Sequence, residues 1–311
     1  MKKYFLFLCF LIVLGSKSFA QDTCKVGIFV TDIYDLNLAE KSFNAKFWIW
    51  GLYQKDSLKI LENLELIEAK EHEYLLPTIE KREKLNYAAQ KAKATIKKDW
   101  NIADFPFDEQ RLNIIVESGD AETNELIFLP DIKNSSYDSS NIKIEGWKID
   151  KFDVETKMRA YNSNYGDPEI KGKATYSNFI ASITLKRESG GLFFKLFTGL
   201  YVAFVISLLP YFMGPENAER FGLLVGSLFA AVANKYVVDS ILPETNNYTL
   251  VDKIHVITFI YILISLIMTV IAYRLFASEK NPLAKKVDKW AFWVTILSFI
   301  LINFYLIWQA M

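Results

Sequence analysis

The chain has 311 residues, 36 basic and 36 acidic side chains, and a formal net charge of zero. Balanced charge argues against nucleic acid as the main partner, because phosphate binding needs a concentrated basic face. The hydrophobic fraction of 51% is unevenly spread: apolar runs crowd into residues 1–20 and 192–311, while 21–190 reads as a polar-surfaced domain.

Residues 1–20, MKKYFLFLCFLIVLGSKSFA, have a charged start at Lys2 and Lys3, an apolar stretch from Tyr4 to Leu14, and the small-x-small signal Ser18-Phe19-Ala20. This pattern predicts a secretory signal peptide and a mature chain starting at Gln21. The stretch is short for a membrane anchor. Cys9 would leave with the signal, so Cys24 stands alone, without an intrachain disulfide and as an inert terminal residue.

Residues 21–190 carry short strand signals. KAKATIK (91–97) alternates lysine with Ala92, Ala94 and Ile96, and RLNIIVE (111–117) puts Leu112, Ile114 and Val116 on one face. FNAKFWIWGLY (43–53), IKIEGWKIDKFDV (142–154) and NFIASITLKR (178–187) are rich in aromatic and β-branched residues. Turn signals at 134–141 and 162–169 punctuate them, and the spacing predicts an immunoglobulin-like β-sandwich. The charge-dense segment 58–90 reads equally well as helix or strand.

Four apolar segments follow, at 192–213, 221–242, 254–276 and 290–308, within expected helices of about 192–213, 219–242, 252–276 and 288–309. Each can cross about 30 Å of hydrocarbon, predicting an all-α four-helix transmembrane domain over 191–311. The second carries Lys235 and Asp239 and is better shielded by neighbours than exposed to lipid. Export of 21–190 places the loops at 214–220 and 277–289 in the cytoplasm. Arg220, Arg274, Lys280, Lys285, Lys286 and Lys289 there agree with the positive-inside rule, and Trp290, Trp293 and Trp308 bracket the last span as interfacial anchors.

Catalytic chemistry is thin. His72 lies among glutamates without metal-ligand spacing, and His255 opens the third span alone. No nucleophile has a base beside it and no glycine loop cradles phosphate, so neither an enzyme, a metal nor a cofactor is expected.

Several motifs in register carry a resemblance. They are FPFDEQ (105–110), GWKIDKF (146–152), Arg187 before the first span, Glu219-Arg220 at the start of the second, and ILPETNNYTLVDK (241–253) leading into the third. Together they resemble the pentameric ligand-gated ion channels of the Cys-loop receptor superfamily, in a prokaryotic form lacking the disulfide. The resemblance implies a homopentamer in a lipid bilayer, with the sandwich in the periplasm or outside the cell and the spans in a bacterial inner membrane. It makes Phe105, Pro106, Phe107 and Asp108 the tip of the family's Pro-loop. Phe105 and Phe107 would then pack near Pro243, and Asp108 would pair with Arg187 to couple sandwich and pore. The chain departs from the pattern in three places. Asp35 or Glu40 would have to shift to offer the arginine a second acid, the 54–90 segment is short, and the first span's sole proline is Pro210.

In this family the second span lines the channel. Helical steps of three and four then place Gly222, Gly226, Phe229, Ala233, Tyr236 and Ser240 on one face, above Glu219. Five copies of Phe229 would form an apolar constriction, and rings of Glu219 and Asp239 would favour monovalent cations. Gly222-x-x-x-Gly226 is also the spacing of close helix packing. A ligand site is expected behind the 159–176 hairpin, where Tyr161, Tyr165 and Tyr176, with Tyr137, would cage a cation. Two functions follow: a ligand- or proton-gated, cation-selective channel, or a non-conducting receptor or assembly protein on the same scaffold.

Overall fold

The structure is a computed structural model describing residues 21–55, 58–166, 173–243, 245 and 247–311. The expected signal peptide lies outside the described residues, as do 167–169 of the predicted turn and positions 244 and 246 of the loop at 241–253.

Ten strands are described, in two sheets. β1 (Asp22–Asn37), β2 (Ser42–Tyr53), β4 (Ala69–Glu80), β5 (Asn86–Lys97), β7 (Leu126–Pro130) and β8 (Ser136–Tyr137) form one; β3 (Leu64–Ile67), β6 (Glu109–Ser118), β9 (Trp147–Ala160) and β10 (Thr175–Arg187) form the other. The first runs β4-β5-β2-β1-β7 with β8 on β1, and the second β3-β6-β10-β9. Period-two patterning places Phe43, Phe47 and Ile49 of β2 and Ala92, Ala94 and Ile96 of β5 inward, against Leu112, Val116, Phe179 and Ile183 of the opposite sheet. Burying each large side chain contributes about 1.5–3 kcal/mol. A Cβ on Gly27 would meet the Trp50 indole at 2.4 Å, so only glycine allows that ring to lie across β1.

The ambiguous segment 58–90 forms strands rather than helix: β3, β4 and the start of β5, with turns between them. β3 and β4 are joined through Glu68 at φ 64°, and β4 pairs along β5 with a register break between Leu75 and Thr78 and Leu76 at φ 54°. β4 is the sheet's edge, largely exposed, which explains its charge density and its tolerance of Pro77. Cys24 is no loose terminal residue but a wholly buried part of the core, its thiol pushed up to about 12 by burial, which keeps it inert.

Four helices, each long and apolar enough to cross a membrane, follow β10: α1 (Ser189–Leu208), α2 (Glu219–Asp239), α3 (Leu250–Ala277) and α4 (Asn281–Ala310). α1 ends in a 3-10 turn, Leu209–Phe212, at Pro210, which has no N–H to continue the helix. α3 starts with a capping box in which Thr249 Oγ1 accepts from the Asp252 N–H and Asp252 accepts from the Thr249 N–H. Pro282 opens α4, where its missing N–H costs nothing. Phe197, Leu200, Ala203, Ala231, Val251 and Ile254 form an apolar cluster that also takes in Ile102 and Phe105, so packing runs from the base of the sandwich into the helices.

Candidate functional site

The loop before β6 is held by its own residues. Gln110 Nε2 donates to the Asn101 carbonyl at 2.6 Å and to Asp108 Oδ2 at 2.7 Å. The Phe107 N–H reaches the Asp104 carbonyl at 2.8 Å, and the Phe105–Pro106 peptide is cis. The Leu250 N–H donates to the Ala103 carbonyl at 2.7 Å, tying the loop to the first turn of α3. Phe105 is 3% exposed, and the Phe107 ring lies 5.6 Å from that of Phe193. These phenylalanines pack on α1 and the start of α3. From the connection that holds Pro243, the cluster takes Leu242 and Leu250, and Pro243 itself is half-buried.

Asp108 and Arg187 meet in a fork, Nε to Oδ1 at 2.6 Å and Nη2 to Oδ2 at 3.0 Å. The side chains are 2% and 9% exposed. The guanidinium sits 3.9 Å from the Trp147 ring centroid and 4.8 Å from that of Phe105. Trp147 belongs to the GWKIDKF motif, so two of the quoted motifs converge on this arginine. The acids named as second partners stay elsewhere: Asp35 accepts from Asn44 Nδ2 at 3.1 Å, and Glu40 is exposed on the β1–β2 turn.

On α2, Arg220, Leu224, Ser227, Ala231 and Val238 are buried against the other helices. Glu219, Gly222, Gly226, Phe229, Ala233, Tyr236 and Ser240 are all exposed, on the opposite side, with Phe229 69% and Tyr236 74% exposed. A Cβ at Gly222 or Gly226 would meet nothing within 4 Å, so the glycines pack against no helix of their own chain. Asp239 is paired with Lys235, whose Nζ also lies 2.7 Å from Asp252 Oδ1. The carboxylate expected at the outer mouth is thus partly neutralised.

Three of the four tyrosines come together. Tyr161 lies 5.8 Å from Tyr176 and 6.3 Å from Tyr165, with Arg159 over its ring at 5.0 Å. Tyr137 is not with them. Its ring contacts Phe152 at 5.8 Å, nine positions before Tyr161, or about 30 Å away along an extended strand. The Tyr161 hydroxyl donates to Glu117, with Oε1 at 3.0 Å and Oε2 at 3.1 Å. Burial raises the Glu117 carboxyl above the usual carboxylate range, and burial with the Glu117 contact pushes Tyr161 up to about 12.

Glu117 escaped the sequence reading because it reads as the polar end of a strand. Two buried pairs among the helices escaped it as well. Arg220, wholly buried, donates through Nη2 to Asp288 Oδ1 at 2.6 Å, and His255 Nε2 lies 3.0 Å from Asn234 Oδ1. Their signal was polar side chains inside apolar spans.

No family profile matches the chain. The chain is similar to the neuronal acetylcholine receptor subunit alpha-9 of Gallus gallus, 26% identical over 200 residues that make up 61% of this chain and 37% of that relative. The match therefore spans little more than a third of the relative's length. With a sandwich and four apolar helices in this order, it supports a likeness to the Cys-loop ligand-gated channel superfamily.

Proposed function

We propose that the chain is a subunit of a homopentameric ligand-gated ion channel, multi-pass in a bacterial inner membrane, with its sandwich on the periplasmic side. The observation that carries this reading is the two-sided α2: a buried polar and apolar face, and an open face of Glu219, Gly222, Gly226, Phe229, Ala233, Tyr236 and Ser240. A helix with charged residues at both ends and an unfilled face is completed by copies of itself around a ring, and a closed ring leaves that face on the axis. Phe229 then forms the apolar constriction, and Glu219 a ring of carboxylates that selects monovalent cations.

The sandwich drives the pore through Asp108–Arg187, the Phe107–Phe193 contact and the Ala103–Leu250 hydrogen bond. The three tyrosine rings beside the Glu117 carboxylate suit a small organic cation, with π faces and an acid within one site. The receptor subunit it resembles supports a channel rather than an enzyme. Planar-bilayer recording of the purified protein, across pH and a panel of small amines, tests the reading. Silence throughout, with a folded pentamer shown by native mass spectrometry, would favour a non-conducting receptor. That second reading draws on the hydroxyl-free lower half of the α2 face, where glycines and Phe229 stand.

A further inference from the structure

Three helices meet around His255, one turn inside the sandwich-facing end of α3. The imidazole is wholly buried. Its Nδ1 lies 2.8 Å from the Val251 carbonyl oxygen and its Nε2 lies 3.0 Å from Asn234 Oδ1 on α2. The orientation of the Asn234 amide is fixed from its other side, because Nδ2 donates to the Leu196 carbonyl of α1 at 3.1 Å. A backbone carbonyl only accepts, so the amide nitrogen must face α1 and the amide oxygen must face the histidine. The site is built for this contact: a Cβ on Gly199 of α1 would lie 3.0 Å from Asn234 Nδ2, so glycine there leaves the amide its room.

Both imidazole nitrogens therefore face oxygen acceptors. A neutral imidazole carries one N–H and leaves the other contact lone pair against lone pair, whereas an imidazolium donates to both. We propose that His255 is a proton-binding site at which protonation lets both ring nitrogens donate at once, Nδ1 to the Val251 carbonyl within α3 and Nε2 to the α2 side chain of Asn234, itself held by α1.

From α2, Lys235 and Asp239 face the imidazole and, from α3, Asp252 does, two acids to one base. From α1 the neighbour is the Phe197 ring at 5.8 Å, with Lys195 exposed; Phe259 of α3 adds a second ring at 6.4 Å. Burial opposes the charge, while two acceptors and the Phe197 ring support it. A group balanced in this way changes state with its surroundings. Asn234 lies on the helix whose opposite face is open, so the proton reaches the arrangement of α2 directly.

The experiment does not depend on conduction. The chain has two histidines, so His72→Gln leaves one, and ¹⁵N-histidine solid-state NMR of the full chain in phosphatidylcholine vesicles reads His255 alone. The expected spectrum gains a doubly protonated imidazolium as pH is lowered across about 8 to 5. Asn234→Leu should reduce the imidazolium fraction at a given acidic pH about tenfold, the effect of losing one buried hydrogen bond. Asn234→Asp, which keeps an acceptor at that place, should retain the imidazolium if Asn234→Leu disturbs the packing. One neutral tautomer throughout, or an Asn234→Leu titration identical to that of the parent chain, would overturn the proposal. A silent channel with the expected spectrum would count against the channel reading and leave the proton site standing.

Discussion

Asp108→Asn conserves shape and removes one charge from a nearly dry pair. Asp108 Oδ2 accepts from both Arg187 Nη2 and Gln110 Nε2, while Oδ1 accepts from Arg187 Nε. The substituted amide nitrogen is least costly at the Oδ1 position, where it meets Nε donor against donor and the remaining oxygen keeps two bonds. Removing one partner of a buried pair costs about 3–5 kcal/mol. Because one fork bond and both ring contacts to the guanidinium survive, about 3 kcal/mol is expected, roughly a hundredfold in equilibrium. Arg187→Gln should cost as much by stranding the carboxylate. The double substitution restores neutrality, and its cost should fall short of the sum by at least about 2 kcal/mol. Denaturant unfolding of the full chain in detergent, followed by tryptophan fluorescence, measures this, since Trp147 stacks on the guanidinium. Additivity of the two single costs to within about 0.5 kcal/mol would refute the idea that the junction is held by this pair. Assembly should survive all three variants, with the ligand response weakened in Asp108→Asn.

Phe229→Ala removes the largest apolar side chain from the open α2 face and should raise basal current in bilayers or lower the agonist concentration needed; a conducting channel unchanged in both respects places the constriction elsewhere. Asp288→Asn leaves Arg220 buried with Nε and Nη1 already unpartnered and should cost about 3–5 kcal/mol in detergent, whereas Arg220→Met with Asp288→Leu should recover most of that loss. Glu117 has a carboxyl raised by burial, so its contribution is full below the ordinary value of 4.5 and is lost as pH rises above it, while the native state holds a proton that the unfolded chain releases. Glu117→Gln should therefore flatten the fall in unfolding midpoint over that window, and parallel curves for the two proteins would show that the carboxyl is not desolvated.

The strand signals at 91–97 and 111–117, within β5 and β6, were legible because period-two alternation is a local property: every second side chain must be apolar for one face to be buried. The four spans were legible for the same reason at another scale, since hydrocarbon excludes unpaired backbone and demands long apolar runs. FPFDEQ and Arg187, with Asp108 as the acid, were readable as partners through resemblance, but whether Asp35 or Glu40 joins them at the guanidinium depended on where the folded turns carry those carboxylates. Segment 58–90 was undecidable, because an edge strand solvated on both sides has no period of its own; pairing with β5 decided it. Tyr137 looked like a fourth cage residue in the chain, yet strand pairing carried it to Phe152. His255 drew notice only as a lone histidine opening the third span, and Asn234 drew none. That one faces the other across 21 positions, with the amide turned by a carbonyl of a third helix, is a matter of helix register and packing distance, which no local pattern encodes.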